Sequence, residues 1–355
     1  MYENVTFDDI MERMLARVPS TMDKREGSVI WDALAPAAVE LQNMYIALDT
    51  ILNETYADTA SLYYLNKRAA ERGISQKLAS NAILQGVFAP ANLELPIGSR
   101  FSHESLNYTI IEKVSDGVYN LKCETVGTKG NVYFGSLIPI DYIEGLETAE
   151  LTELLIPAED DETEDSLRER YFNSMTSQAF GGNIADYKEK ATSISGVGGV
   201  MVTPVWNGGG TVKLTIIDSQ FKSPSEELVE LVQNEFDPIG HSGEGLGLAP
   251  IGHVVTVTGV RSATINIETT ITYQNGWGWD SAKGYIIAAI DQYFKELAQI
   301  WDESENVVVR ISPLESKILG CQGVIDVSGT KLNGGTSNVS LAVDEIPVRG
   351  TVNGD

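Results

Sequence analysis

Three histidines, His103, His241 and His253, and two cysteines, Cys123 and Cys321, are the side chains of this 355-residue chain best suited to hold a metal ion or act as nucleophiles. Zinc sites announce themselves by short ligand spacings, and here there is no His-x-x-x-His and no cysteine close to a histidine. No metal site is expected. The two cysteines are far apart in unlike contexts, which is the pattern of two reduced, half-buried thiols and not of a disulfide framework. Glycine-rich stretches at 196–199, 208–210 and 240–247 lack the Gly-Lys-Ser/Thr of a phosphate loop and the G-x-G-x-x-G of a dinucleotide site, so turns and hairpins account for them. There is no G-x-S-x-G elbow to lift a serine nucleophile, and Cys123 has no local signature of a thiol enzyme. Carboxylate pairs are uninformative, because 50 acidic residues guarantee chance pairs. No catalytic residue, no cofactor and no enzymatic activity are expected. The rival reading is a cell-wall-binding or cell-wall-degrading protein using Trp206, Trp277, Trp279 and Trp301 as an aromatic platform. Packing inside the fold is the favoured role for these tryptophans.

Composition narrows the partners. The formal net charge is −25, from 50 acidic against 25 basic residues. A nucleic-acid partner is excluded on that balance, since phosphate binding draws on Lys and Arg. No apolar run approaches the roughly 18 residues of a spanning helix, so no membrane span is expected. Residues 1–10 carry acids where a secretory signal needs positive charge, which points to assembly in a cytoplasm. The stretch 159–165 holds six acidic residues in seven. It reads as a solvated linker whose carboxylates offset the positive end of the helix that follows.

The elements that would position any site change character along the chain. Residues 7–18 and 59–72 read as helices, the second stopped by Gly73. Between them, Gly27 and Ser28 offer a cap to a long helix. Pro36 means that this helix either kinks there or begins near Ala35. Runs at 82–89, 108–114, 117–126 and 131–138 alternate with turn residues and read as a compact β domain. Strands at 211–218 and 306–311 each lead to a Ser-Pro-x-Glu sequence, Ser223-Pro-Ser-Glu226 and Ser312-Pro-Leu-Glu315, which reads as a capping box with proline at the first helical position. Each helix then returns to a β run, 253–260 and 324–331. The result is an expected pair of similar α/β modules, the second also containing a helix over 281–297 with a broad apolar stripe.

The fold class is therefore α+β and multidomain. The expected division is a helical bundle region over 1–80, a small β domain over 81–158, a first α/β module over 159–261 and a second over 262–355. Within the helical region Trp31, Leu34, Ala38, Leu41, Tyr45, Leu48 and Leu52 alternate at spacings of three and four, the seam of a helix that packs along its length against other helices. Function is thus expected to reside in interfaces.

Several motifs in order resemble one family. Arg25-Glu-Gly-Ser28, Trp31-Asp-Ala-Leu-Ala-Pro-Ala-Ala38, Glu40-Leu41, Tyr56-Ala-Asp-Thr-Ala60, Leu65 and Ala69-Ala-Glu-Arg-Gly-Ile74 look like the amino-terminal helical region of baseplate J-like proteins of contractile phage tails. Ser61 departs from the glycine such proteins often carry there. Leu95-Pro-Ile-Gly-Ser-Arg-Phe101, Gly127-Thr-Lys-Gly-Asn-Val132 with Gly135, and Ile143-Glu-Gly-Leu146 resemble the family's turn into its β domain and its next signature. Glu162-Thr-Glu-Asp-Ser-Leu-Arg-Glu-Arg170, Gly181-Gly-Asn-Ile-Ala-Asp-Tyr187, Gly196-Val197 and Gly245-Leu-Gly-Leu-Ala-Pro-Ile-Gly252 follow in matching order.

The resemblance implies a structural role without catalytic residues. It implies paired copies in each of six wedges around a tail tube, in a ring that holds and then triggers the sheath. The amino-terminal helices would bundle with another wedge protein and the carboxy-terminal domains would link neighbouring wedges. Implied partners are a second copy of the chain, another wedge protein, and sheath-initiator, hub and fibre-attachment proteins, in the baseplate of a virion or tail-like particle.

Overall fold

The computed structural model describes residues 2, 5–131, 134–176 and 181–354, the side chain of residue 176 excepted. Val132 and Tyr133 of the strand expected over 131–138 lie outside the described residues, as do residues 1, 3 and 4 of the amino-terminal decapeptide. The chain forms two compact units, Met1–Lys77 with Glu162–Thr176, and Leu78–Asp161 with Ser177–Asp355.

The first unit is helical. Helix α1 (Phe7–Ala16) starts at a reciprocal cap, in which the Asp9 amide donates to Thr6 Oγ1 at 3.2 Å and the Thr6 amide to Asp9 Oδ2 at 3.0 Å. Helix α2 (Val29–Thr55) starts where Ser28 Oγ accepts the Trp31 amide, and it runs on through Pro36, so the helix does not begin near Ala35. Helix α3 (Leu62–Ala70) starts later than the sequence pattern suggests, because the amide and hydroxyl of Ser61 both donate to Glu54 Oε2 at 2.8 Å. Gly73, at φ +75°, supplies the left-handed residue that ends it. Leu65 and Ala69 pack with Leu167 and Tyr171 of helix α4 (Glu164–Thr176), so α4 belongs with the amino-terminal helices.

The acidic stretch before α4 is not a solvated linker. Its carboxylates accept hydrogen bonds from specific donors, which fixes the chain on both sides. In the second unit, Glu159 takes the Gly196 amide, Asp160 the amide and hydroxyl of Thr128, and Asp161 the Ala79 amide. In the first unit, the 5%-exposed side chain of Glu162 takes the Lys77 amide and both Nε and Nη2 of Arg170. Burial pushes the Glu162 carboxyl up, but Arg170 and the Lys77 amide outweigh it and hold it below the usual range. Glu164 and Asp165 lie in the first turn of α4, as expected, and Glu164 also serves the start of α3, whose Leu62 amide donates to it at 3.0 Å.

The second unit begins with a barrel. Its strands are β1 (Asn81–Ala89), β2 (Arg100–His103), β3 (Leu106–Ser115), β4 (Val118–Val126), β5 (Gly135–Ser136), β6 (Ile138–Pro139) and β7 (Thr148–Ile156), in the order β5-β7-β1-β4-β3-β2-β6. Both ends of that order come from the single run 135–139. It pairs with β7 through Gly135 and Ser136 and with β2 through Ile138 and Pro139, so the sheet closes on itself. Leu137, between the two short ladders, joins Leu84, Phe88, Phe101, Tyr108 and Leu121 in the core.

Helix α5 (Ile184–Ser193) leads into a sheet of β8 (Val197–Pro204), β9 (Thr211–Asp218) and β10 (Val254–Gly259), where β9, helix α6 (Glu226–Phe236) and β10 make a parallel crossover. The open edge of β10 is covered by side chains. Gln233 donates to the Val255 carbonyl and accepts from the Val257 amide, while buried Asp237 accepts the Val255 and Gly243 amides, closing the glycine-rich loop over the strand. The last sheet sets β11 (Arg261–Tyr273) between β13 (Val324–Leu332), antiparallel, and β15 (Glu345–Gly354), parallel. Helix α7 (Trp279–Gln299) lays Ile286, Ile290, Tyr293, Phe294 and Leu297 in the core of this region. Strand β12 (Val308–Val309) pairs with β14 (Val339–Ser340), and helix α8 (Ile311–Leu319) precedes β13.

Two expectations need correction. The helix after β9 is capped by Ser225, which accepts the Leu228 amide, whereas Ser223 donates to the Val260 carbonyl and Pro224 stands ahead of the cap. Helix α8 begins at Ile311 on Arg310 with no side-chain cap, leaving Pro313 inside the first turn. The two modules also differ in topology, since β9 and β10 share a sheet while β12 and β13 do not.

Candidate assembly surface

Helix α2 spans 27 residues, about 40 Å at 1.5 Å per residue. Helix α1 covers one face of it. Ile10, Met11 and Ala38 are buried there, with Phe7, Met14, Trp31, Leu34, Ala35 and Tyr45 packed around them. The Phe7 and Trp31 rings meet edge to face with centroids 6.2 Å apart. The expected seam thus divides. Trp31, Leu34, Ala38 and Tyr45 lie against α1, Leu41 and Leu48 are exposed, and Leu52 is half-buried.

The exposed members belong to a second stripe. Ala37, Leu41, Met44, Leu48 and Ile51 follow one another at spacings of four, three, four and three, and all are exposed, Met44 and Ile51 by 60% each. The α2 helix is apolar on two neighbouring flanks and α1 covers one of them. Its charges are Asp32, Glu40, Asp49 and Glu54, with no Lys or Arg along its length. The signal was present in the sequence as the 37–51 spacing, overlaid on the stripe that α1 uses. Two guanidinium groups fix the carboxy-terminal end of α2: Arg68 donates to the Thr55 carbonyl at 3.0 and 2.7 Å, and Arg168 to the carbonyls of Ala57 and Ala60.

The chemistry-bearing residues are dispersed by comparison. His103 Nδ1 lies 2.9 Å from the Ser136 carbonyl, His253 Nδ1 2.8 Å from Tyr187 Oη, and His241 Nδ1 3.1 Å from Glu244. Among the described residues no three His, Cys, Asp or Glu side chains are grouped to hold a metal ion. Cys123 is buried and Cys321 half-buried, both free, and burial pushes both thiols up, away from the reactive thiolate. The tryptophans make no shared platform. Trp277 packs on Gly323 and Trp279 on Gly354, each leaving no room for a Cβ, and Trp301 is in the core, its indole N–H donating to the Val343 carbonyl. Trp206 alone of these four is exposed. No helix among the described residues is long and apolar enough to cross a membrane.

The chain is 39% identical over 354 residues to the Phage-like element PBSX protein XkdT of Bacillus subtilis (strain 168), covering 99% of this chain and 98% of the relative. The Baseplate J-like central domain matches residues 179–259 and the Baseplate J-like protein C-terminal domain matches residues 265–354. The chain belongs to the baseplate J-like family. A second relative from the same Bacillus subtilis strain, the Uncharacterized protein YqbT, is 38% identical over 355 residues, covering 99% of this chain and 98% of its own. Among solved structures, a chain of the anti-feeding prophage (AFP) baseplate, 6-fold symmetrised, aligns over 98% of this chain and 99% of its own, with a TM-score of 0.39 and 10% identity. The two family domains of this baseplate J-like protein fall on its two α/β regions, and α2 lies outside both matched segments.

Proposed function

We propose that this protein is a structural wedge component of a contractile-tail baseplate, present in paired copies in a sixfold ring that holds the sheath extended and then releases it. The observation that carries this reading is the open stripe of α2 in a baseplate J-like chain. A rigid amphipathic helix with one flank uncovered by its own unit is suited to a mixed bundle with another wedge protein. Ala37, Leu41, Met44, Leu48 and Ile51 form the seam of that bundle, and Trp31, Leu34, Ala38 and Tyr45 serve it indirectly by holding α1. The modules of the second unit then carry contacts to sheath-initiator, hub and fibre-attachment proteins and to neighbouring wedges, moving as rigid bodies as interfaces re-pack. The place of action is the baseplate of a phage or phage-like particle assembled in a bacterial cytoplasm. Support for that setting comes from a relative that is a phage-like element protein.

The test is co-expression with the adjacent wedge protein, with light scattering of the chain alone and of the complex. Met44→Asp with Leu48→Asp is expected to abolish the complex while leaving the circular dichroism of the chain intact. An unchanged complex would remove α2 from the interface and the proposal with it.

A further inference from the structure

The outside of the barrel breaks its own pattern along one run. On β7 the outward positions are Thr148, Glu150, Thr152 and Glu153, the polar-out arrangement of a solvated sheet face. From residue 134 to 142 the outward positions are Phe134, Ser136, Ile138, Ile140 and Tyr142, exposed by 77% at Phe134, 66% at Ile138 and 90% at Tyr142, while Leu137 between them is buried. Single exposed apolar residues are ordinary, but four in alternation on one edge make a ridge. The ridge is held in place by the barrel: Ser136 is paired with Glu150 of β7, Ile138 with Ser102 of β2, and the Ile140 amide donates to the Arg100 carbonyl at 3.0 Å.

Carboxylates predominate among the charges framing this ridge. Between Lys129 and Arg168 the sequence has no Lys, Arg or His, and it holds eleven carboxylates. Asp141 and Glu144 adjoin the ridge along the chain and Glu150 stands opposite Ser136. The cation on the other side, Arg100, is engaged by Glu124 at 2.6 and 2.5 Å and also feels the charge of Asp141, so Glu144 and Glu150 are the carboxylates most open to an incoming cation. From this we infer that the 134–142 ridge docks a segment of another protein that combines apolar side chains with Lys or Arg. Such a segment would bury Phe134, Ile138 and Tyr142 and place its cations against Asp141, Glu144 and Glu150. A second copy of this chain would set those carboxylates against one another, and like charges at a closing interface oppose association.

The probe is a fluorescein-labelled synthetic peptide alternating leucine and lysine, read by anisotropy against the full chain, with a leucine–glutamate peptide as counterpart. The leucine–lysine peptide is expected to bind, to protect residues 134–142 from hydrogen exchange, and to lose about tenfold in affinity with Phe134→Ser plus Tyr142→Ser, which alters no charge. Glu226→Gln plus Glu230→Gln on α6, which removes charge elsewhere, is expected to leave affinity nearly unchanged. Glu144→Lys plus Glu150→Lys is a second route to the same surface and is expected to weaken binding as well. Equal binding by the ridge variant, equal binding of the leucine–glutamate peptide, or no binding at all would overturn the inference. So would self-association of the native chain that the ridge variant abolishes, which would make a second copy the occupant.

Discussion

Helices α7 and α2 are both long and both amphipathic, yet only one is completed by its own fold. On α7, Ile286, Ile290, Tyr293, Phe294 and Leu297 are buried and the remaining face carries Lys283, Asp291, Gln292, Lys295 and Glu296, with Tyr285 as its one exposed large apolar side chain. On α2, α1 covers the flank of Trp31, Ala38 and Tyr45, and the next flank, Leu41, Met44, Leu48 and Ile51, stays apolar and open. A helix whose apolar arc exceeds what its own unit covers carries information about a partner. The comparison separates residues that hold the fold from residues available for assembly.

The largest effect is expected where α7 meets the last sheet. Ile290, fully buried, loses its contacts in Ile290→Ala and leaves a cavity, which should cost about 2–5 kcal/mol. Urea unfolding followed by tryptophan fluorescence reads it, since Trp301 shares that core. A loss below about 1 kcal/mol would mean that α7 is no better covered than α2, and the contrast would fail.

A smaller loss is expected from Glu162→Ala, which leaves Arg170 and the Lys77 amide without their shared carboxylate, at about 1–3 kcal/mol. Its pH dependence has a definite sign. The folded Glu162 carboxyl titrates below its ordinary value of 4.5. Its contribution is therefore fully present above that value and is lost as pH falls through the lower, folded pKa. The native chain should lose more stability in that acid window than the variant, as followed by helical circular dichroism across pH. Parallel curves would show that the carboxylate is dispensable to the helical unit on which α2 is mounted.

Where local chemistry decides an element, the sequence was sufficient. The Ser28 start of α2, the Gly73 stop of α3 and the apolar stripe of α7 all rest on near neighbours. Where donors come from distant segments it was not. The acidic stretch reads as solvated until Gly196, Thr128, Ala79 and Lys77 are brought to it, and nothing local marks Gln233 as the cover of β10. The first capping box is lost for a related reason, since Ser223 finds the Val260 carbonyl, a partner from the join between β10 and β11. The stripe on α2 was legible as to period and not as to flank, because its two apolar flanks are adjacent and only the position of α1 tells them apart. The barrel ridge is not legible in the sequence, because an alternating run shows its period without saying which set faces inward.

Ser28→Ala sharpens the contrast at the amino-terminal end of α2. The lost cap on the Trp31 amide should cost about 1 kcal/mol. Hydrogen exchange should show it as faster opening of the first turn, near Val29 to Asp32, with α7 unaffected. If the cost spread to α7, the two helices would not be independent parts of the fold.

The smallest effect is the most discriminating. Met44→Ser with Leu48→Ser removes apolar side chains that are already largely in water, so the isolated chain should lose no more than about 0.5 kcal/mol. The same pair would remove central contacts from a bundle seam, where truncations of such anchors cost 2 kcal/mol or more of binding, about thirtyfold in affinity. The measurements are urea unfolding of the chain alone and titration with the proposed wedge partner, made on the same preparation. Comparable losses in both would show that the stripe is packed within the chain, and α2 would then be completed like α7. A loss confined to the titration assigns the stripe to the partner, because an exposed side chain can matter only to a surface that arrives after folding.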